Sequence, residues 1–308
     1  MNCRLCASGG VRELFLAQDI HGRHILSEDK FAILQCEACG VTFTEVETDS
    51  DYYKKYYREN YYPPINSNSF IDRILSWMQN FSFKQRLKLI ETYKSSQGNR
   101  VLEIGCGRGE FLNFLPDVYE KNGVEINEKG YNFVKENYKN IDVHNLRIND
   151  RTFEASILGK FDVIIMWHVF EHINDPVIFA ENLAKLLAEN GVIIFDIPNR
   201  NSFGFSWCKK WWFHLDAPRH LFHYDYNSMR DLIKRSKLEI IEFLGNFRDY
   251  PQDLPASFYS RFKTNNFISN LFLFIFVLPI ATIFRLIIAL FLPKRAEINT
   301  YIVKHYKG

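Results

Sequence analysis

Two C-x-x-C pairs open the chain, Cys3 with Cys6 and Cys36 with Cys39, separated by twenty-nine residues. Paired knuckles of this kind can set four thiolates tetrahedrally around one zinc ion, which a short segment can use in place of a hydrophobic core. Four thiolates already close a structural site, so the histidines of His21-Gly22-Arg23-His24 read as loop residues or substrate contacts. A second constellation is Glu103-Ile104-Gly105-Cys106-Gly107-Arg108-Gly109-Glu110. Its glycines let backbone amides approach a ligand, but G-x-G-x-G with Glu at 110 is not the G-x-G-x-x-G turn that seats a diphosphate. Twenty residues beyond Gly105 stands Glu125, where a carboxylate can take both hydroxyls of a ribose. A third is histidine-rich: Trp167-His168-Val169-Phe170-Glu171-His172, and Pro218-Arg219-His220-Leu221-Phe222-His223. An imidazole near neutrality is the natural general base for an acceptor hydroxyl. His220 is the first choice, His223 the second, and His172 a further candidate.

These residues need a scaffold. Val101 to Ile104 reads as a strand running into the glycine turn, and a second strand ends at Glu125. A helix over Glu128 to Tyr138 and a third strand over Ile141 to His144 follow. The apolar run Phe161 to Met166 suits a central parallel strand buried on both faces. Asp175 with Pro176 marks a helix start, the helix running to Glu189 and stopped by Asn190-Gly191. Val192 to Ile197 is the fifth strand, a helix covers 227 to 236, and Leu238 to Leu244 is the sixth. Ile298 to His305 alternates like an edge strand. Ligands in open α/β sheets bind beyond the carboxyl ends of the strands, so the Trp167–His172 segment and the long aromatic loop 207–224 should border the reacting centre.

Over roughly residues 98 to 250 the chain resembles the class I S-adenosylmethionine-dependent methyltransferases, whose first motif is an acidic residue followed by G-x-G-x-G and whose second is the carboxylate here at Glu125. The resemblance implies a Rossmann-like α/β fold, a seven-stranded mostly parallel sheet whose last strand is antiparallel. It implies S-adenosylmethionine as cofactor, held by Glu103, Gly105, Cys106, Gly107, Gly109, Glu125, Ile126, Trp167 and His168, with the adenine near Asn149 and Asp150. The cysteine segment resembles the N-terminal zinc module of bacterial sugar methyltransferases that act on nucleotide-linked deoxysugars. Glu171-His172 with Asp175-Pro176 is shared with a subgroup that includes the quinone-biosynthesis O-methyltransferases. Some of that subgroup place a metal on the Glu-His pair and an acidic residue three positions earlier. Here that position is His168, and capping and cleft shaping are the expected roles of the pair, with a divalent ion on His168, Glu171 and His172 as the alternative.

The domain organisation expected is a zinc ribbon over 1–48, a Tyr-rich linker and helix over 49–97, and the cofactor-binding domain over 98–308. Tyr52, Tyr53, Tyr56, Tyr57, Tyr61 and Tyr62, closing on Pro63-Pro64, could lie across a cofactor cleft as a lid or pack as a linker. A net charge of +2 is too small for an electrostatic grip on nucleic acid. Six cysteines outside any secreted pattern, with no leader ahead of Cys3, point to a cytoplasmic setting. From Leu271 to Leu292 only Arg285 is charged, a length that could span a bilayer. A returning last strand forbids a single crossing, so 251–295 is expected to be an apolar helical insertion before that strand. Residues 267–292 would form a hairpin hinged near Pro279 that dips into one leaflet, with Lys263, Arg285, Lys294 and Arg295 near headgroups. An apolar dimer interface is the competing reading. The expected substrate is a sugar, glycolipid or polyprenyl-linked intermediate of cell-surface polysaccharide assembly. The alternatives are a quinone or lipid O-methyltransferase and a non-catalytic zinc-ribbon interaction protein.

Overall fold

Short apolar runs bounded by polar turns become strands throughout this chain. The computed structural model describes residues 2–21, 24–56, 70–148 and 159–306. In chain order its strands are β1 (Val11–His21), β2 (His24–Cys36), β3 (Thr42–Thr44), β4 (Arg100–Ile104), β5 (Glu120–Val124), β6 (Ile141–His144), β7 (Phe161–Trp167), β8 (Leu187–Pro198), β9 (Phe222–His223), β10 (Leu238–Gly245) and β11 (Ile298–His305).

The larger sheet has seven strands in the order β10-β11-β8-β7-β4-β5-β6. β8, β7, β4, β5 and β6 are parallel neighbours, and β11 runs antiparallel between β8 and β10. Val163, Ile164, Ile165 and Met166 of β7 have no solvent exposure, as a strand covered by helices on both faces requires. The glycine turn leaves β4 and the Trp167–His172 segment leaves β7 at the same edge of two adjacent strands.

A four-stranded sheet, β1-β2-β3-β9, carries the cysteine knuckles at one end. Its fourth strand comes from the histidine loop, pairing Thr42 with His223 and Phe43 with Phe222. The ribbon therefore shares a sheet with the segment after residue 98 instead of standing apart from it. β1 ends at His21 and β2 begins at His24; residues 22 and 23, with Tyr57, Tyr61, Tyr62, Pro63, Pro64, Asn149 and Asp150, lie outside the described residues.

Three expectations are corrected. Asp175 does cap the helix Pro176–Leu186, its side chain accepting from Ile178 N–H, but the helix stops before Glu189. Leu187 turns extended and is buried in β8, where Ala188 to Gly191 form an irregularity against β7, so burial of Leu187 outcompetes another helical turn. Of the two readings of the tyrosines the lid gives way to the packed linker at Tyr52 and Tyr56, since Tyr52 donates to the Pro218 carbonyl and Tyr56 to Asp29.

The third concerns the apolar insertion. The chain turns at 263–266, between the helix Asp253–Phe262 and a continuous helical stretch Phe267–Phe291, and not at Pro279. Pro279 sits in the first turn of the helix Leu278–Phe291, where its missing N–H costs nothing, and a π-turn over Leu273–Val277 absorbs the junction. By length and composition Phe267–Phe291 could cross a membrane. Ala281, Arg285, Ile288 and Ala289 are buried, while Phe267, Ile268, Phe274, Ile280, Ile283 and Phe291 are more than half exposed. Arg285 is not at a headgroup level: it is 4% exposed and paired with Asp253.

Candidate active site

The turn after β4 is built from three left-handed glycines, Gly105 (φ 71°), Gly107 (φ 56°) and Gly109 (φ 70°). A Cβ at Gly105 would stand 2.6 Å from Val169 Cγ2, so the turn lies directly against the segment leaving β7. Gly130, in the helix Glu128–Asn137, lets the Gly107 carbonyl approach to where a Cβ would lie 2.8 Å away. Glu125 has two jobs. Gly107 N–H donates to its Oε2 (2.8 Å) and Asn127 N–H to its Oε1 (2.7 Å). The carboxylate thus pins the turn as well as capping the next segment. Cys106 is buried beneath Gly123, and Ile126 is 54% exposed at the rim.

Glu103, at the end of β4, is 4% exposed, and its Oε2 has no hydrogen-bond partner among the described residues. Burial pushes its carboxyl up to about 8, against the opposing pull of Arg86. Arg86 spreads over the Trp167 ring at 4.3 Å and binds Asp249 (3.0 Å). Asp249 also accepts from Ser82 and Asn246, and Arg248 bonds Asp196 of β8, whose backbone carbonyl accepts from His168 N–H. Sequence reasoning missed this polar network. Asp196, a lone carboxylate inside the apolar run Val192 to Ile197, was the available signal.

The histidine segments converge. His168 holds φ 57°, and its Nδ1 lies 3.5 Å from Glu171 Oε1. Burial opposes the charge on both, yet Glu171 raises His168, and the surrounding imidazoles, His168 foremost, hold Glu171 down to about 2. The short helix Phe170–His172 is sewn to the loop before β9. Leu221 N–H donates to the Glu171 carbonyl (2.9 Å), His172 Nδ1–H donates to the Arg219 carbonyl (3.0 Å) and His220 Nδ1–H to that of His214 (2.8 Å). His220 Nε2 lies 3.9 Å from Glu171 Oε1, and burial depresses His220 to about 4. His223 sits deeper, 2% exposed, its Nε2 3.2 Å from Thr44 Oγ1, with burial lowering it to about 3.

The ribbon clamps this loop from the other side. Thr44 Oγ1–H donates to the His220 carbonyl (2.7 Å), Thr44 N–H to that of Leu221 (3.0 Å), and Arg219 is gripped between Asp216 and Asp19 of β1. At the far end of the same sheet, Cys3 and Cys39 Sγ are 3.7 Å apart and Cys6 and Cys36 Sγ 3.6 Å. A zinc–sulfur length of about 2.3 Å gives a tetrahedral edge of roughly 3.8 Å, which these two pairs match, and all four sulfurs lie within 4.8 Å of one another. Leu5 N–H and Cys39 N–H point at Cys3 and Cys36 Sγ, donors suited to thiolates.

A family model described as a methyltransferase domain matches residues 46–242, and the chain belongs to that family. The ubiquinone biosynthesis O-methyltransferase of Thiobacillus denitrificans is 28% identical over 138 residues, 41% of this chain and 59% of that one. The protein of the same name from Coxiella burnetii is 31% identical over 125 residues, 38% of this chain and 50% of that one. The chain thus spans about half the length of the curated relatives it matches. Among solved structures, a chain of the complex between the Haloferax volcanii Trm112 methyltransferase activator and the putative methyltransferase shares the fold. It has a TM-score of 0.51 and 14% identity, covering 75% of this chain and 93% of that one.

Proposed function

We propose that the protein is an S-adenosylmethionine-dependent methyltransferase acting on a hydroxyl of a sugar, glycolipid or polyprenyl-linked intermediate of cell-surface polysaccharide assembly. The observation that carries the cofactor reading is the left-handed glycine turn, tied by Gly107 N–H to Glu125 and abutting the Glu171 cluster. The residues fit the group. The turn leaves room that a Cβ at 105 would fill, Glu125 stands just beyond β5 beside that turn, where a carboxylate can accept from ribose hydroxyls, and the buried Glu103 carboxyl keeps an oxygen without a partner among the described residues. Bound there, S-adenosylmethionine supplies a methyl on a sulfonium, itself a good leaving group. The protein's part is alignment, worth up to about 7–11 kcal/mol in ideal cases, and removal of the acceptor's proton. The neutral His220, with its Nδ1 proton held by a carbonyl, presents Nε2 as the proton acceptor. Zinc in the four-cysteine site has a structural role in this reading.

The lipid-linked acceptor is supported by the exposed apolar face of Phe267–Phe291. Phe203 stacks on Trp207 and Phe258 and meets Phe284 edge-on, widening that face, and the exposed Arg261, Lys263 and Lys294 flank the apolar stretch along the chain. An exposed apolar stretch with cations close to both of its ends in the chain suits peripheral docking on the cytoplasmic side of an anionic bilayer. A quinone acceptor is the second reading, favoured by the names of the relatives above. Calorimetry should register S-adenosylmethionine binding that Glu125→Ala weakens at least tenfold. Unchanged binding in the variant would remove the cofactor assignment, and labelled-methyl turnover on glycolipid against quinone acceptors separates the two readings.

A further inference from the structure

We propose that Arg285, on the apolar helix, is a positioning residue for the proton acceptor His220, acting through Asp253 and His214. The path between them is unbroken. Arg285 Nε donates to Asp253 Oδ1 (2.5 Å), and His214 Nε2 lies 3.0 Å from Asp253 Oδ2. The His214 carbonyl in turn accepts from His220 Nδ1–H (2.8 Å). All four residues are buried.

Each link fixes the next. Burial opposes the charge on Asp253, but Arg285 and then His214 hold its carboxyl below the usual range, so it is ionised. A carboxylate can only accept, which puts the His214 proton on Nε2 in a ring that burial keeps neutral. Trp212, Phe213 and Tyr250 meet that ring at 69°, 85° and 88°, confining its plane, while Asp253 decides which nitrogen is protonated. The helix Asp253–Phe262 also holds the peptide ahead of the ring. Phe213 N–H donates to Ser257 Oγ (2.9 Å), whose hydroxyl donates to the Asp253 carbonyl (2.7 Å). Held at ring and backbone, residue 214 keeps its carbonyl on His220 Nδ1. That bond leaves the lone pair of His220 on Nε2 and sets the orientation of the ring.

Arg285 does more than neutralise one carboxylate. Its terminal nitrogens reach the Phe247 and Asp249 carbonyls, gathering 247–253 against the apolar helix. Seating a helix needs no such charge, since apolar residues of similar volume often replace a buried ion pair without loss of stability. What they cannot replace is an ionised acceptor behind His214. That the ring so aimed serves as the base rests on the methyl-transfer reading; the hold on the ring does not.

The test reads the His220 tautomer by nitrogen-15 NMR of the histidine-labelled full chain in detergent at neutral pH, with the His220 signals assigned from His220→Gln. The unaltered chain and Arg285→Lys, which keeps a cation beside Asp253, should show His220 protonated on Nδ1. Arg285→Met and His214→Leu should move the population toward Nε2–H. His214→Gln, whose amide can still donate to Asp253, should restore the Nδ1–H form. On the acceptor that the labelled-methyl assay identifies, Arg285→Met should lower kcat about 10–100-fold, within the range a positioned base contributes, with KM and cofactor affinity within about twofold. Should Arg285→Met lose its cooperative melt, Arg285→Met with Asp253→Leu replaces the pair by apolar groups and gives the same reading. An unchanged tautomer in both Arg285→Met and His214→Leu, or a changed one with undiminished kcat, overturns the proposal. A changed tautomer in a chain that transfers no methyl upholds the hold on His220 and sinks the methyl-transfer reading instead.

Discussion

The single charge within the apolar helix is the most informative residue to remove. Arg285 donates from Nε and Nη2 to both oxygens of Asp253, and from its terminal nitrogens to the Phe247 and Asp249 carbonyls. Both partners are buried, Arg285 at 4% and Asp253 at 0% exposure. Arg285→Met would leave a carboxylate in the interior with His214 Nε2, 3.0 Å away, and the Leu254 N–H as its remaining partners. Breaking a buried pair from one side costs about 3–5 kcal/mol, whereas replacing both partners by neutral groups of similar volume is often close to neutral. The expected cost of Arg285→Met is therefore about 3–5 kcal/mol. In Arg285→Met with Asp253→Asn the cost should fall about 1–3 kcal/mol short of the sum of the single changes. Urea unfolding at pH 7.5, with and without detergent to cover the apolar face, measures all four corners of the cycle. A single-variant cost under 1 kcal/mol, or strict additivity, would refute the claim that this ion pair seats the helix.

Three further outcomes follow from the site. Gly105→Ala should destabilise the protein by about 2–4 kcal/mol, combining left-handed strain with the Val169 collision, and should abolish cofactor binding by calorimetry. Glu103 is protonated in the native state up to about 8 but ionised above about 4.3 in the unfolded chain, so its favourable contribution is present below pH 4 and lost as pH rises through 8. Glu103→Gln should accordingly stabilise the ligand-free protein by a few kcal/mol, about 5 at most, at pH 8 and flatten its pH dependence between 5 and 8 in urea titrations, while weakening cofactor binding. Substituting Phe267, Ile268, Phe274, Ile280 and Phe291 with Ser or Gln should eliminate co-sedimentation with anionic vesicles and leave the melting temperature within about 2 °C. Retained vesicle binding would assign that face to something other than lipid.

The sheet was readable because its central strands are buried on both sides and hence written as largely apolar runs, Val101 to Ile104 broken by Glu103 alone and Phe161 to Met166 by Asp162 alone. The glycine turn and Glu125 were readable because left-handed backbone and a strand-end carboxylate leave type and spacing in the sequence. What escaped was long-range. Nothing local in Thr42-Phe43-Thr44 announces pairing with Phe222-His223, 179 residues away. Pro279 suggested a hinge because proline breaks helix interiors, yet the first turn of a helix tolerates it, and the reversal fell at 263–266. Arg285 suggested a headgroup contact because lone cations at apolar boundaries usually snorkel. Its buried partner Asp253 lies thirty-two residues upstream, where no periodicity points at it.

The strand that the histidine loop lends to the ribbon has a dynamic consequence. Residues in one sheet open together, so the amides of Thr44 and Leu221 belong to the same cooperative exchange unit as the cysteine knuckles at its other end. Protection of those two amides should track occupancy of the thiolate site, although some two hundred residues of chain separate Cys3 from Leu221. Zinc on the four thiolates would then stiffen the histidine loop without touching it.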